Sequence, residues 1–159
     1  MSDSSASGLN AKFGFNLLVW SASVSDDLFP HVDCLKKIGY DGVEIAMSQE
    51  DADAYKRFGA HAKDQGMEVN CVTVLPAEAN PASPDAAVQA KGLELLKWNI
   101  DRTVDVGGKL LCGPFHSSFA TFTRNDIDPD EYKRSAEILH AAGDYAQQAG
   151  VMLTPEALN

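Results

Sequence analysis

A strand-like apolar run followed by a helix that closes on glycine recurs four times along this 159-residue chain, and a fifth apolar run then follows. Residues 13–20 form the first run, bounded by polar sequence before it and a Ser-rich stretch after it. Ser25 caps the next segment, Asp26 and Asp27 occupy its first turn, and Leu28, Val32, Leu35 and Ile38 are spaced as one apolar face ending at Gly39. The pattern returns with a strand over 42–47 and a helix over about 50–65 that points Tyr55, Phe58 and Ala62 inward and closes at Gly66. A third strand over 68–75 leads through a Pro- and Asn-rich loop to Ser83-Pro84-Asp85, where Ser suits the cap and Pro the first helical position. That helix carries Val88, Leu95, Trp98 and Val106 as its stripe and stops at Gly107-Gly108, before a strand over 109–113. The last helix, over about 129–149, carries Tyr132, Ala136, Leu139 and Tyr145 and ends at Gly150.

Strict alternation of strands and helices specifies a parallel sheet, because the strands are joined by helical crossovers. An open doubly wound sheet and a closed barrel both satisfy it. A dinucleotide fold would carry a glycine-rich phosphate loop after strand one, whereas residues 20–24 contain no glycine. The barrel is therefore favoured. Since a whole (β/α)8 TIM barrel takes about 250 residues, the expectation is an α/β chain truncated after strand five, with five parallel strands and four helices. Residues 1–11 read as a disordered Ser-rich tail and residues 12–159 as the N-terminal part of one barrel domain. The longest loop, 114–128, mixes aromatic and polar residues, a composition and length that suit a functional segment.

Charge restricts the partners. Lys and Arg total 13 against 23 Asp and Glu, a formal charge of −10 that repels nucleic acid and anionic lipid surfaces. Three separated cysteines, Cys34, Cys71 and Cys112, fit reduced thiols packed as small hydrophobes better than a disulfide framework. With neither a signal peptide nor a membrane-length apolar run in the sequence, the expected location is cytoplasmic.

Chemistry concentrates at strand ends. The final apolar run delivers Glu156 to the carboxyl end of a buried-type strand, where α/β folds place their ligands. A solvated strand-end carboxylate is the plain alternative, and position alone leaves the two readings about equal. Glu44 reads as a carboxylate hydrogen-bonded to a neighbouring strand end. His31, His61 and His140 lie on helices, away from strand ends.

Asp41-Gly-Val-Glu-Ile45 after a Gly-Tyr helix end, Ala82-Ser-Pro-Asp85, Cys112-Gly-Pro-Phe-His-Ser117 and Glu156-Ala-Leu-Asn159 together carry a resemblance. From about Phe13 onward the chain resembles the N-terminal half of the sugar phosphate isomerase/epimerase family, the xylose isomerase-like barrels that include D-tagatose and D-psicose 3-epimerases. In those epimerases the last motif continues as Glu-x-x-Asn-Arg-aromatic-Glu, and this sequence ends at its Asn. The resemblance implies that Glu156 binds a divalent metal, Mn²⁺, and exchanges a proton with a ketose. The remaining ligands and the second acid would come from later strands. It also implies substrate contacts at Asn16, where relatives often carry an aromatic residue, at Trp20 as a pocket wall, at Gly113 and Pro114, and at His116. It further implies self-association of the full-length protein.

Three function classes follow: a metal-dependent ketose 3-epimerase or isomerase, with hydroxypyruvate-type isomerases and inosose-type dehydratases on the same scaffold; a non-catalytic half-barrel; and a DNA-repair nuclease. The charge of −10 argues against the nuclease. An incomplete barrel is also expected to leave strand edges open and the inward residues Leu17, Val43, Val72 and Leu111 unpartnered, which favours pairing of the isolated chain.

Overall fold

A computed structural model describes residues 11–48, 51–121 and 128–157. The proposed tail lies outside the described residues except for Ala11, as do residues 122–127 of the long loop. Five strands form one parallel sheet in chain order: β1 (Gly14–Asn16), β2 (Gly42–Ala46), β3 (Glu68–Val72), β4 (Leu110–Gly113) and β5 (Met152–Pro155). Between them lie α1 (Phe29–Ile38), α2 (Ala52–Asp64), α3 (Ala86–Asp105) and α4 (Pro129–Ala149). The expected five-strand, four-helix alternation is thus the observed one.

Parallel register puts partner side chains on the same face of the sheet, and alternation puts the next residue on the other. On one face, Val43, Ile45, Val69, Cys71 and Leu111 are at most 6% exposed. They pack with Val32 and Leu35 of α1, Tyr55, Phe58 and Ala62 of α2, Leu96 and Ile100 of α3, and Ala142 and Ala146 of α4. The opposite face carries Asn16, Glu44 and Asn70 in one row and Ala46, Val72, Cys112 and Thr154 in the next, none of them fully buried. This corrects the expected set of unpartnered inward residues: Leu17, Val43 and Leu111 are buried in the core, and only Val72 lies on the open face. Leu110 and Met152, a register pair two residues before Cys112 and Thr154, share that face, which is therefore mixed in character.

Several boundaries differ from expectation for local reasons. The first strand does not run to Trp20. Asn16 accepts the Leu18 N–H at 2.8 Å, and Leu17 O accepts from both Trp20 and Ser21, so the chain coils into a 3₁₀ turn over Leu17–Val19. The third strand ends at Val72, and Leu75 pairs with Ser118 through a single parallel bridge. Asp85, not Ser83, caps α3 by accepting the Ala87 N–H at 2.8 Å, while Ser83 accepts from Asp85 N.

The buried stripe of α3 is Gly92, Leu96, Asn99, Ile100 and Thr103, one step round from the expected Leu95 and Trp98, which are half-buried. On α4 the buried face is Ser135, Ala142 and Ala146, with Tyr132 67% exposed, and Ile38 at the end of α1 is likewise outside the core.

Candidate functional site

Glu156 sits one residue past β5, on the carboxyl side of the sheet. Its N–H donates to Gly113 O at 2.8 Å, continuing the ladder in which Gly113 faces Pro155. The side chain is exposed and follows Thr154 in the alternation onto the open face. Cys112, on that face in β4, feels the charges of both Glu156 and Glu44.

Gly113 shapes this corner. Its φ of 124° is one that L side chains rarely adopt, and a Cβ built there would stand 2.1 Å from Thr73 O. Gly113 O accepts from Phe115 N at 3.0 Å as well as from Glu156 N. Thr73 is held in turn by its own N–H donating to Cys112 O at 2.9 Å and by Asn99 Nδ2 donating to Thr73 Oγ1 at 2.9 Å. The polar residues buried on α3 therefore support the loop ends that seat Glu156: Thr103 Oγ1 donates to Asn99 O, completing the buried set.

Glu44 bridges three strands from within the open face. Asn16 Nδ2 donates to Oε1 at 2.7 Å and Cys112 Sγ to Oε2 at 3.3 Å. The reading of Glu44 as a carboxylate bonded to neighbouring strand ends matches this geometry. Burial, then the Glu44 hydrogen bond and charge, push the Cys112 thiol up to about 12. Burial also pushes Cys71 up to about 12. The cysteines are not uniformly core residues: Cys71 is buried, Cys112 half-buried and Cys34 exposed. At pH 8 a thiol with a pKa near 12 is thiolate in roughly one molecule in ten thousand. Alkylation with iodoacetamide followed by peptide mass spectrometry is therefore expected to modify Cys34 first, with Cys112 reacting only as the pH approaches 12. Equal rates at Cys34 and Cys112 at pH 8 would contradict this arrangement.

The other expected contact residues are placed as follows. Asn16 already uses its amide at both ends, accepting from Leu18 N and donating to Glu44. Pro114 is buried, and His116 is half-buried with its carbonyl accepting from Ser135 Oγ at 2.5 Å. Trp20 follows the 3₁₀ turn after β1 and stacks on Phe15 and His31. Sequence reasoning missed Cys112 as an open-face residue, and Thr154 beside it. Counting back by twos from Glu156 finds Thr154, and the β4–β5 register then pairs it with Cys112.

A cavity of about 720 Å³ lined by Lys63, Met67, Val106 and Lys109 lies at the amino ends of β3 and β4, away from Glu156. In barrels the carboxyl end carries the chemistry and the amino end serves stability.

Among the described residues no three His, Cys, Asp or Glu side chains are grouped to hold a metal ion. Glu156 contributes one carboxylate, and both oxygens of Glu44 already accept hydrogen bonds, from Asn16 and from Cys112. The donor set present does not by itself fit a divalent ion.

The family described as xylose isomerase-like TIM barrel matches residues 32–159. The chain belongs to that family. The L-ribulose 3-epimerase of Mesorhizobium japonicum is 29% identical over 154 residues, covering 94% of this chain and 50% of that protein. The D-psicose 3-epimerase of Agrobacterium fabrum is 26% identical over 152 residues, 93% of this chain and 53% of that protein. Among solved structures, an L-ribulose 3-epimerase superposes with a TM-score of 0.85 at 30% identity, with 94% of this chain and 50% of that one covered. A D-allulose 3-epimerase from Methylomonas sp. in complex with D-allulose gives 0.82 at 26%, covering 93% of this chain and 51% of that one. This xylose isomerase-like chain thus spans about half the length of the curated relatives it matches.

Proposed function

We propose that this chain is the N-terminal portion of a metal-dependent ketose 3-epimerase of the xylose isomerase-like family, acting in the cytoplasm on a free ketose, with Glu156 as the proton-exchanging carboxylate. The observation that carries the reading is the place of Glu156: past the carboxyl end of β5, on the open face, seated by Gly113, in a chain whose relatives are ketose 3-epimerases. The carboxylate takes the proton from C3, which leaves an enediolate on the sugar and a carboxylic acid on Glu156. Return of a proton to the opposite face of C3 inverts the centre. The acid that returns it, and the ligands that would share Mn²⁺ with Glu156, are assigned to strands six to eight of the completed barrel. His116, Trp20, Pro114 and Gly113 border the sugar in this reading, with Asn16 behind them on Glu44. Self-association of the full-length protein belongs to the same reading; the edges of β1 and β5, which pair only with β2 and β4 among the described residues, would be closed by the later strands of the completed barrel.

The test is epimer formation. A barrel completed through strand eight, supplied with Mn²⁺ and fructose, tagatose, psicose or ribulose, is expected to yield the C3 epimer by NMR or chromatography, whereas the 159-residue chain alone yields none. Aldose products, or loss of water from the substrate, would replace the epimerase reading with an isomerase or dehydratase on the same scaffold.

A further inference from the structure

A line of hydrogen bonds crosses the open face of the sheet from β1 to β4. It starts at the 3₁₀ turn after β1, where Asn16 Oδ1 accepts the Leu18 N–H at 2.8 Å. The same amide donates through Nδ2 to Glu44 Oε1 at 2.7 Å, and Glu44 Oε2 accepts the Cys112 thiol at 3.3 Å. Since β3 lies between β2 and β4, Glu44 reaches over a whole strand to meet Cys112. Pushed up to about 12, that thiol keeps its proton at neutral pH and so remains a donor. Ala46 and Val72, beside Cys112 in the register, have no polar side-chain atoms, so the tie from β4 to the β1 corner runs through Glu44.

Cys112 also belongs to the backbone that seats Glu156. Its carbonyl accepts Thr73 N at 2.9 Å, it faces Thr154 in the β4–β5 register, and the next carbonyl, Gly113 O, accepts Glu156 N at 2.8 Å. We propose that Glu44 is a positioning residue for the ketose reaction: by tying Cys112 to the β1 corner it fixes the end of β4 and, through the Gly113 carbonyl, the place of Glu156. The proposal rests on the reading of Glu156 as the proton-exchanging carboxylate. Counted along the register, Glu44 shares a row with Leu110 and Met152, and Glu156 stands two rows further toward the carboxyl end. Glu44 therefore acts from beneath the site. A misplacement of about 1 Å can cost roughly 10²-fold in rate, so partial loosening of this seat is expected to cost about tenfold.

The seat and the reaction are read separately in the completed barrel. Amide exchange followed by NMR reports on the Glu156 N–H, bonded to Gly113 O, with the Val151 N–H, bonded to Ala146 O just before β5, as the control. Cys112→Ala, which removes the donor, is expected to speed exchange at Glu156 roughly tenfold and to leave Val151 within about twofold, and Cys112→Ser, which keeps a donor, to restore the slow rate. Glu44→Leu, which removes both acceptors, is expected to match Cys112→Ala, with the double variant no worse than either alone. In turnover, Cys112→Ala and Glu44→Leu are each expected to lower kcat roughly tenfold with KM within about twofold, again without additivity, and Cys112→Ser to stay near wild type. Unchanged exchange at Glu156 in Cys112→Ala, an equal rise at Val151, or fully additive effects of the two variants overturns the tie. Faster exchange at Glu156 with wild-type kcat overturns the positioning role. A completed barrel with no turnover of any ketose fails the functional reading, while the exchange comparison still decides whether Glu44 fixes the seat.

Discussion

Gly113→Ala is expected to lower the unfolding free energy by about 2–6 kcal/mol, combining strained positive-φ backbone with an overpacked contact. The φ of 124° disfavours any L side chain, and the new Cβ would meet Thr73 O at 2.1 Å. Thr73 cannot easily retreat, because its N–H is bonded to Cys112 O and its hydroxyl to Asn99. Against a typical domain stability of about 5–15 kcal/mol, such a loss takes away much of the margin. Urea unfolding followed by circular dichroism measures it. A loss below about 1 kcal/mol would mean that the β4 end can move away from Thr73, and that Gly113 does not seat Glu156 as described.

Glu156→Gln should leave the fold nearly unchanged and stop the chemistry. The side chain is exposed and only its backbone N–H is bonded to Gly113, so stability is expected to change by no more than about 0.5 kcal/mol. The amide keeps the size of the carboxylate but cannot accept the C3 proton. In a completed barrel the epimerisation rate is expected to fall by roughly 10²–10⁴, the range supplied by a positioned acid–base group, or further if the carboxylate also holds the metal. Rates measured by following each epimer over time, with unfolding curves on the same samples, provide the check. Wild-type rates in a folded Gln variant would remove Glu156 from the proton transfer.

Legibility in the sequence followed the range of the interactions. α4 was readable to its ends because its signals are local and agree: Asp128 accepts the Asp130 N–H, Pro129 takes the first position and Gly150 closes in the left-handed region at φ 71°. β1 is shorter than the sequence predicts because Leu17, Leu18 and Val19 suit a strand, whereas the Asn16 cap and the Leu17 carbonyl turn the chain. Val106 is buried as expected, but Leu95 and Trp98 lie one position off the buried α3 stripe, because that face carries Asn99 and Thr103, whose polarity is satisfied by Thr73, 26 residues from Asn99, and by the helix backbone. The same limit hid Cys112 from the reading of Glu44, since their hydrogen bond spans 68 residues. Trp20 was visible as an aromatic residue near a strand end, but its clamping by Phe15 and His31 depends on how the 3₁₀ turn folds back.

The central claim is that Glu156 exchanges a proton with C3 of a ketose, and deuterium incorporation reads that step whether or not epimers accumulate. A barrel completed through strand eight and loaded with Mn²⁺ should be incubated in D₂O with fructose, tagatose, psicose and ribulose, and the C3 proton signal followed by NMR. The account predicts loss of that signal for at least one ketose, at C3 and at no other carbon, with no loss in the Glu156→Gln variant. Retention of the C3 proton in every ketose by the wild-type barrel, or its loss at an equal rate in the Gln variant, would contradict it.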